Sequence, residues 1–331
     1  MIDILFVGEG WSEKDEEAQA PLTGAAGWIF DQLLSAAGVS RRECEITNVF
    51  NFRVTDIKKL CGGRAEGLVP ELIRGKYLRK EYAGSLDALY QLVKVLRPNL
   101  VVALGPTAAW AFLQSTGIEK VRGAIAPSSA LTSSVLGFVQ KVLPTYSPAM
   151  VLRNYSERLT TIADFTKARR ESAFPDIRRP VRDIWLYPDL DDLARYEAEH
   201  IVHSALLSVD IETKGDQITC IGFAPDPHSC IVIPLFQGEN RSYWSTPDEE
   251  RQALTFVRRW LTLAPSVFQN GMYDITFLWR RYGIPTPLAA EDTMLLHHAW
   301  QPEMKKGLGF LGTIYTDEAS WKHMRKGMKH D

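Results

Sequence analysis

The chain has 331 residues, of which 45% are hydrophobic and 24% charged, and its formal net charge is −2. That length exceeds one typical domain and predicts two units, each with enough apolar surface for a core. The near-neutral balance excludes a protein that coats DNA by bulk charge, but local basic grooves stay compatible with it.

Four scattered cysteines (Cys44, Cys61, Cys220 and Cys230) fit neither a zinc knuckle nor a disulfide scaffold. Free thiols in a reducing cytoplasm are the expectation. The start, Met1 to Gly8, reads as a first strand rather than a signal peptide, and no segment has the length and apolarity of a membrane span.

In chain order, residues 2–7 form a short apolar strand that breaks at Gly8-Glu9-Gly10, and Ser12 to Glu17 reads as an acidic loop. Pro21 to Gly27 leads into a helix through Leu34, and Cys44 to Val49 is a second strand ending near Thr47-Asn48. Leu86, Leu89, Tyr90, Val93 and Leu96 recur at helical spacing, closed by Pro98-Asn99. Leu100–Leu104 is a buried-type strand that turns at Gly105-Pro106 into a small-residue helix over Thr107–Leu113, and Val142–Thr145 is a fourth strand. Apolar strands alternating with helices predict a parallel α/β sheet covered on both faces. Ligands of such sheets bind at the carboxyl ends of the strands, where Gly8-Glu9, Asn48, Gly105 and Thr145-Tyr146-Ser147 fall.

Between Lys167 and Asp189 stand five arginines (Arg169, Arg170, Arg178, Arg179, Arg182) and three prolines (Pro175, Pro180, Pro188). That composition predicts a linker over 167–189, between a domain at 1–166 and another at 190–331. The second half then offers a helix near Leu190–Ala198 and a strand over Ala205–Asp210. A hairpin of Gln217–Phe223 with Ser229–Pro234 follows, then a helix over Thr246–Leu263 and a strand over Ser266–Gln269. Helices over Tyr273–Tyr282 and Thr293–Ala299 come last. A mixed sheet with helices on both faces fits this order.

Asp210 and Glu212 are two apart on a strand, so both carboxylates point the same way. With Asp274 arriving from a helix they would make an all-oxygen pocket for Mg²⁺ or Mn²⁺. Two such ions about 4 Å apart are the machinery of in-line phosphodiester hydrolysis. Asp292 reads as a helix N-cap rather than a ligand, and His297 and His298 as core or surface histidines.

Asp210-Ile-Glu212-Thr, Asn270-Gly-Met-Tyr-Asp274 and Glu291-Asp292-Thr-Met-Leu resemble the 3′–5′ proofreading exonuclease domain of phage-type family A DNA polymerases, with a ribonuclease H-like fold. Leu308–Thr316 matches a stretch that follows in those polymerases. The resemblance implies Asp210, Glu212 and Asp274 as catalytic metal ligands of a two-metal site, Asn270 beside the substrate and Tyr273 packed under it. The family's third motif, with its fourth carboxylate, is missing: Tyr315 is followed four residues on by Ala319 and His323 five on by Met328. Together with the basic tail Lys322, Arg325, Lys326 and Lys329, this predicts an incomplete domain. The expectation is the N-terminal piece of a longer polymerase, or a chain completed by a separate polymerase partner, in the cytoplasm of a phage host.

The first half is similar to the uracil-DNA glycosylase superfamily of the family 4 type. The match lies in Gly8-Glu9, Pro21, Gly24-Ala-Ala-Gly27, Thr47-Asn48-Val49, Arg53, Val102-Ala-Leu-Gly105, Pro144-Thr-Tyr-Ser-Pro148 and Arg153. The resemblance implies base flipping into a pocket, with Asn48 on the base edge and Glu9 on the water and sugar side. The loop from Thr145 to Arg153 would press on the DNA backbone. Ser147 stands where the family has histidine, Leu22 where it has a stacking aromatic, Trp11 and Ser12 where it has proline and glycine, and Phe52 where it has a cysteine. On these residues no iron–sulfur cluster is expected.

Three functions follow. The leading one is a proofreading exonuclease joined to a glycosylase-like DNA-binding domain, acting on single-stranded DNA or a 3′ end. The second is a uracil-DNA glycosylase, and the third a non-catalytic DNA-binding module.

Overall fold

The apolar runs become the inner strands of two separate sheets in the computed structural model, which describes residues 3–318 apart from 69, 116 and 239–240. The basic tail Lys322, Arg325, Lys326 and Lys329, with Ala319, His323 and Met328, lies outside the described residues. The chain divides into one unit spanning Met1–Arg179 and resuming at Gly309, and a second spanning Pro180–Leu308.

The first unit runs β1 (Ile4–Trp11), α1 (Glu13–Ala18), α2 (Ala25–Ala36), β2 (Cys44–Arg53), β3 (Cys61–Gly62), β4 (Tyr77–Leu78), α3 (Ala83–Leu96) and β5 (Leu100–Leu104). It continues through α4 (Pro106–Leu113), β6 (Ala126–Pro127), α5 (Ala130–Leu136), β7 (Lys141–Thr145), α6 (Pro148–Arg153) and α7 (Arg158–Glu171). The main sheet has the order β2-β1-β5-β7-β6, parallel except for the edge strand β6. Strands β3 and β4 form a small antiparallel ladder of their own. All five residues of β5 are buried, as a central parallel strand requires. Phe6 on β1, Phe30 on α2 and Phe165 on α7 pack together, with ring centroids 5.0 Å, 5.2 Å and 5.8 Å apart.

Three expectations change here. Residues expected as an acidic loop are α1, because Ser12 and Asp15 close a capping box and Glu13, Asp15 and Glu16 stand at its positive end. Strand β1 does not break at Gly8; it pairs with β2 as far as Trp11, with a shift in register between Gly10 and Trp11. The expected linker begins inside α7, where Lys167 is buried.

The second unit runs β8 (Asp183–Leu186), α8 (Leu190–Tyr196), β9 (Leu207–Lys214), β10 (Gln217–Asp226), β11 (Ser229–Pro234), β12 (Phe236–Gln237) and β13 (Arg241–Ser242). Then come α9 (Pro247–Leu263), β14 (Ser266–Phe268), α10 (Met272–Tyr282), β15 (Ala289–Asp292) and α11 (Thr293–Trp300). Its sheet is mixed, in the order β15-β14-β9-β10-β11-β8, with β9–β10 and β10–β11 antiparallel. β8 lies within the residues expected as linker; it forms because its backbone pairs in parallel with β11. The last described helix, α12 (Leu308–Tyr315), carries the chain back into the first unit. Among the described residues no helix is long and apolar enough to cross a membrane.

Truncating one fully buried ring of the aromatic trio, Phe30→Ala, is expected to destabilise the first unit by about 3–5 kcal/mol. Denaturant unfolding of the full chain checks it; a loss below about 1 kcal/mol contradicts this packing.

Candidate functional site

The carboxyl ends of β1, β2, β5 and β7 converge on one edge of the first sheet. The β1–β2 register sets Gly8 opposite Asn48. A Cβ at Gly8 would stand 2.3 Å from Asn48 Oδ1, so only glycine lets the amide occupy this place. Asn48 is 4% exposed, and its Nδ2 is a buried donor with no partner among the described residues. An unmade bond of this kind costs about 1–3 kcal/mol, which a ligand carbonyl would recover.

Next along β1, the Glu9 carboxylate accepts a hydrogen bond from the buried hydroxyl of Thr107, in the first turn of α4. The turn before that helix passes through Gly105 at φ +92°, and the Gly105 N–H donates to Thr145 O at 2.8 Å. A Cβ on Gly105 would lie 3.3 Å from Ser147 Cβ, so the ends of β5 and β7 are in close contact. Ser147 caps α6, its Oγ accepting from Met150 N at 3.2 Å. Its own O–H proton stays available to donate. Arg153 is exposed in the last turn of α6.

Leu22 is held in the left-handed region at φ +56°. Its carbonyl accepts from Arg41 Nη2 at 3.1 Å, and a Cβ on Gly27 would stand 1.9 Å from the same oxygen. The adjoining Thr23 donates to Asp15 Oδ1 from its N–H at 2.6 Å and its hydroxyl at 2.8 Å. Burial pushes the Asp15 carboxyl up, but the bonds from Thr23 and Ser12 outweigh it and hold the group below the ordinary carboxylate range. Thus Glu9, Asn48 and Ser147 share one end of the sheet, with Leu22 on a clamped turn. Sequence reading missed Thr107, Asp15 and Arg41, whose partners are 98, 8 and 19 residues away.

In the second unit, β9 alternates buried Leu207, Val209 and Ile211 with exposed Ser208, Asp210 and Glu212. Asp210 and Glu212 share a face, as period-two geometry requires. Asp274 on α10 is buried, and its Oδ1 accepts from Ile211 N at 3.1 Å. Burial is the main cause that pushes its carboxyl up to about 6, and the negative charge of Asp210 adds to it. Among the described residues no group of three or more His, Cys, Asp or Glu side chains could hold a metal ion. The expected pocket for Mg²⁺ or Mn²⁺ is therefore corrected: Asp274 Oδ1 is engaged with the Ile211 N–H, and its carboxyl is pushed above the ordinary range.

Tyr273 shares a hydrogen bond with Thr213 Oγ1 at 2.6 Å and stacks obliquely near Phe277. Asn270, at φ +61°, donates its N–H to Asp292 Oδ1 at 3.1 Å. Asp292 is the N-cap of α11, as expected, and His297 is buried while His298 is exposed.

The family model of the uracil DNA glycosylase superfamily matches residues 1–176. The chain belongs to that superfamily. A type-4 uracil-DNA glycosylase of Thermotoga maritima is 31% identical over 170 residues, half of this chain and 76% of that protein. Those of Pyrobaculum aerophilum and Archaeoglobus fulgidus are 28% and 29% identical over 152 and 170 residues, covering 69% and 74% of their lengths.

These findings overturn the leading functional expectation. They point to a glycosylase and carry nothing for a 3′–5′ exonuclease, a phage polymerase or a polymerase partner. The cofactor expectation falls with it on both counts: the superfamily needs no divalent metal, and its type-4 members carry a [4Fe–4S] cluster, which the sequence reading had excluded. The described cysteines nonetheless do not fit a four-thiolate site. Cys44 and Cys61 lie in the first unit, Cys220 and Cys230 in the second. Cys44 and Cys61 each donate to a backbone carbonyl, at 3.4 Å, and burial pushes both thiols up, Cys44 to about 11.

Because the folded state raises the Asp274 pKa, its contribution to stability is full below about 3.8 and is lost as pH rises through about 6. Asp274→Asn keeps the acceptor for Ile211 and removes that loss. It is expected to flatten the fall in stability between pH 4 and 6, and to stabilise the second unit at pH 7 by on the order of 2 kcal/mol. Urea unfolding at several pH values checks this; an unchanged slope contradicts it.

Proposed function

We propose that the first unit excises uracil from DNA by hydrolysing its N-glycosidic bond. The observation that carries this reading is the buried, unpartnered Asn48 Nδ2, set by Gly8 at the carboxyl end of the sheet. A planar base flipped out of DNA offers carbonyl oxygens to such a donor. Membership in the superfamily and likeness to three type-4 uracil-DNA glycosylases support the substrate.

In this reading Asn48 donates to a uracil carbonyl, and the Ser147 hydroxyl supplies a second donor. Glu9, held by Thr107, orients a water toward C1′ of the sugar. The C1′–N1 bond breaks with its electron pair passing to uracil, the water oxygen bonds to C1′, and the released proton ends on the base. Arg153 and the α6 turn meet the phosphates. A neutral serine supports the departing anion less than a charged donor, and one such donor is worth roughly 10²–10³ in rate. Leu22 covers the base without the ring stacking worth about 1–3 kcal/mol. A slow enzyme follows.

For the second unit, the order β11-β10-β9-β14-β15, antiparallel over its first three strands and parallel after, supports a ribonuclease H-like sheet, proposed as a fold alone. Handling of DNA in the cytoplasm is in keeping with this activity.

Incubated with single-stranded DNA bearing one uracil, then treated with alkali, the full chain is expected to cut at that uracil and to do so in EDTA. Asn48→Ala is expected to slow excision by roughly 10²-fold or more. No alkali-labile site with the wild-type chain, or full activity in N48A, overturns the proposal.

A further inference from the structure

The first unit buries three charged side chains beside β7, and the chain returning from the second unit satisfies two of them. Arg122, Asp164 and Lys167 are 5%, 1% and 5% exposed. Buried charges are costly unless paired and hydrogen-bonded. Arg122 Nη1 donates to Asp164 Oδ1 at 2.7 Å, and its Nη2 donates to Thr313 Oγ1 on α12 at 2.6 Å. The guanidinium also lies 4.7 Å from the Phe310 ring centroid and 5.8 Å from that of Tyr146. Lys167 Nζ donates to the carbonyls of Gly123 and Thr316, at 2.9 Å and 2.8 Å, and to that of Thr313.

A segment that merely tidied away a chain end could rest anywhere on the surface. This one lands on the groups that fix the end of β7. The other oxygen of Asp164, Oδ2, accepts from Thr145 Oγ1 at 2.6 Å, and Thr145 is the last residue of β7. Tyr146 and Ser147 come next. There is little slack: a Cβ at Gly123, which sits at φ +74°, would stand 2.8 Å from Asp164 Oδ1 and 3.2 Å from Thr313 Cβ. Removing the Thr313 acceptor leaves a buried Arg122 donor to find another, and Asp164 is the neighbour it would pull.

We propose that the returning segment Gly309–Thr316 positions the Thr145–Ser147 turn through Arg122 and Asp164, a role in catalysis that rests on the excision reading above. Thr313 and Arg122 touch no substrate; they act as positioning residues. The superfamily match ends at residue 176, so this prop comes from chain beyond the matched part.

The test uses the full-length protein with Thr313→Val, which keeps the shape and removes the acceptor, and Thr313→Ser, which restores it. Single-turnover excision is expected to fall about tenfold in T313V, with KM for uracil-containing DNA held within about twofold. Amide hydrogen exchange over Tyr146–Val151 is expected to speed up about tenfold, and T313S to return both to wild-type values. Wild-type rates of excision and exchange in a folded T313V overturn the proposal. So does a loss of activity that only tracks a lower melting temperature and leaves exchange in the turn unchanged. Should the wild-type chain excise no uracil, the excision reading fails by itself. The exchange measurement then decides whether the segment holds the turn: faster exchange supports it, and unchanged exchange overturns it.

Discussion

A glycine facing an asparagine across two parallel strands is the constraint on which the site depends. β1 and β2 must pair in the register that sets Gly8 opposite Asn48, because any side chain at position 8 would fall on the Asn48 amide. Slipping one strand by a residue would turn Asn48 to the opposite face and bring a neighbour against Gly8. The hydrophobic core guards that register: Leu5, Phe6, Val7, Val49 and Phe50 are all buried on the two strands. Packing energy spread over many apolar contacts thus maintains one unsatisfied polar donor. A donor left unpaired in a core is a cost that calls for an explanation, and at the carboxyl end of the sheet a ligand carbonyl supplies one.

The edges of the site are held by different means. Glu9 is fixed by a hydroxyl from α4, and Ser147 by its own capping of α6. Leu22 is pinned in a left-handed conformation by Arg41 and by the absence of a side chain at Gly27. A non-glycine residue in that region carries strain and persists only where the surroundings over-determine it. Rigid walls of this sort suit a site that discriminates a planar base by its edge, since a loose amide would accept more than one partner.

Much of the first sheet was legible in the sequence because central parallel strands are apolar throughout. Leu100–Leu104 has the same bounds in the fold as in the sequence reading, and Val142–Thr145 differs by one residue. Helix α1 was not legible, since five charged residues and one alanine carry no apolar period and only the capping box marks them. β8 was hidden by neighbouring arginines and prolines, and its strand character comes from pairing with β11, 46 residues on at the Asp183–Ser229 pair. Of the site, Glu9, Asn48 and Ser147 could be placed by their position at strand ends. The three carboxylates of the second unit misled for a physical reason: spacing puts Asp210 and Glu212 on one face, but cannot show that Asp274 faces a backbone N–H.

The returning helix α12 shows why chain order is a poor guide to what completes a site. The sequence resemblance assigned Leu308–Thr316 to the second half, because it matches a stretch that follows the exonuclease motifs in phage-type polymerases. Energetics assign it to the first, because two buried cations there take further acceptors from α12, Thr313 Oγ1 for Arg122 and the Thr313 carbonyl for Lys167. A surface pairing would not support such a conclusion, being worth about 1 kcal/mol or less. Here each charge is at least nine-tenths buried, and an unpaired one costs several times as much. The second unit is therefore an insertion within the chain path of the first.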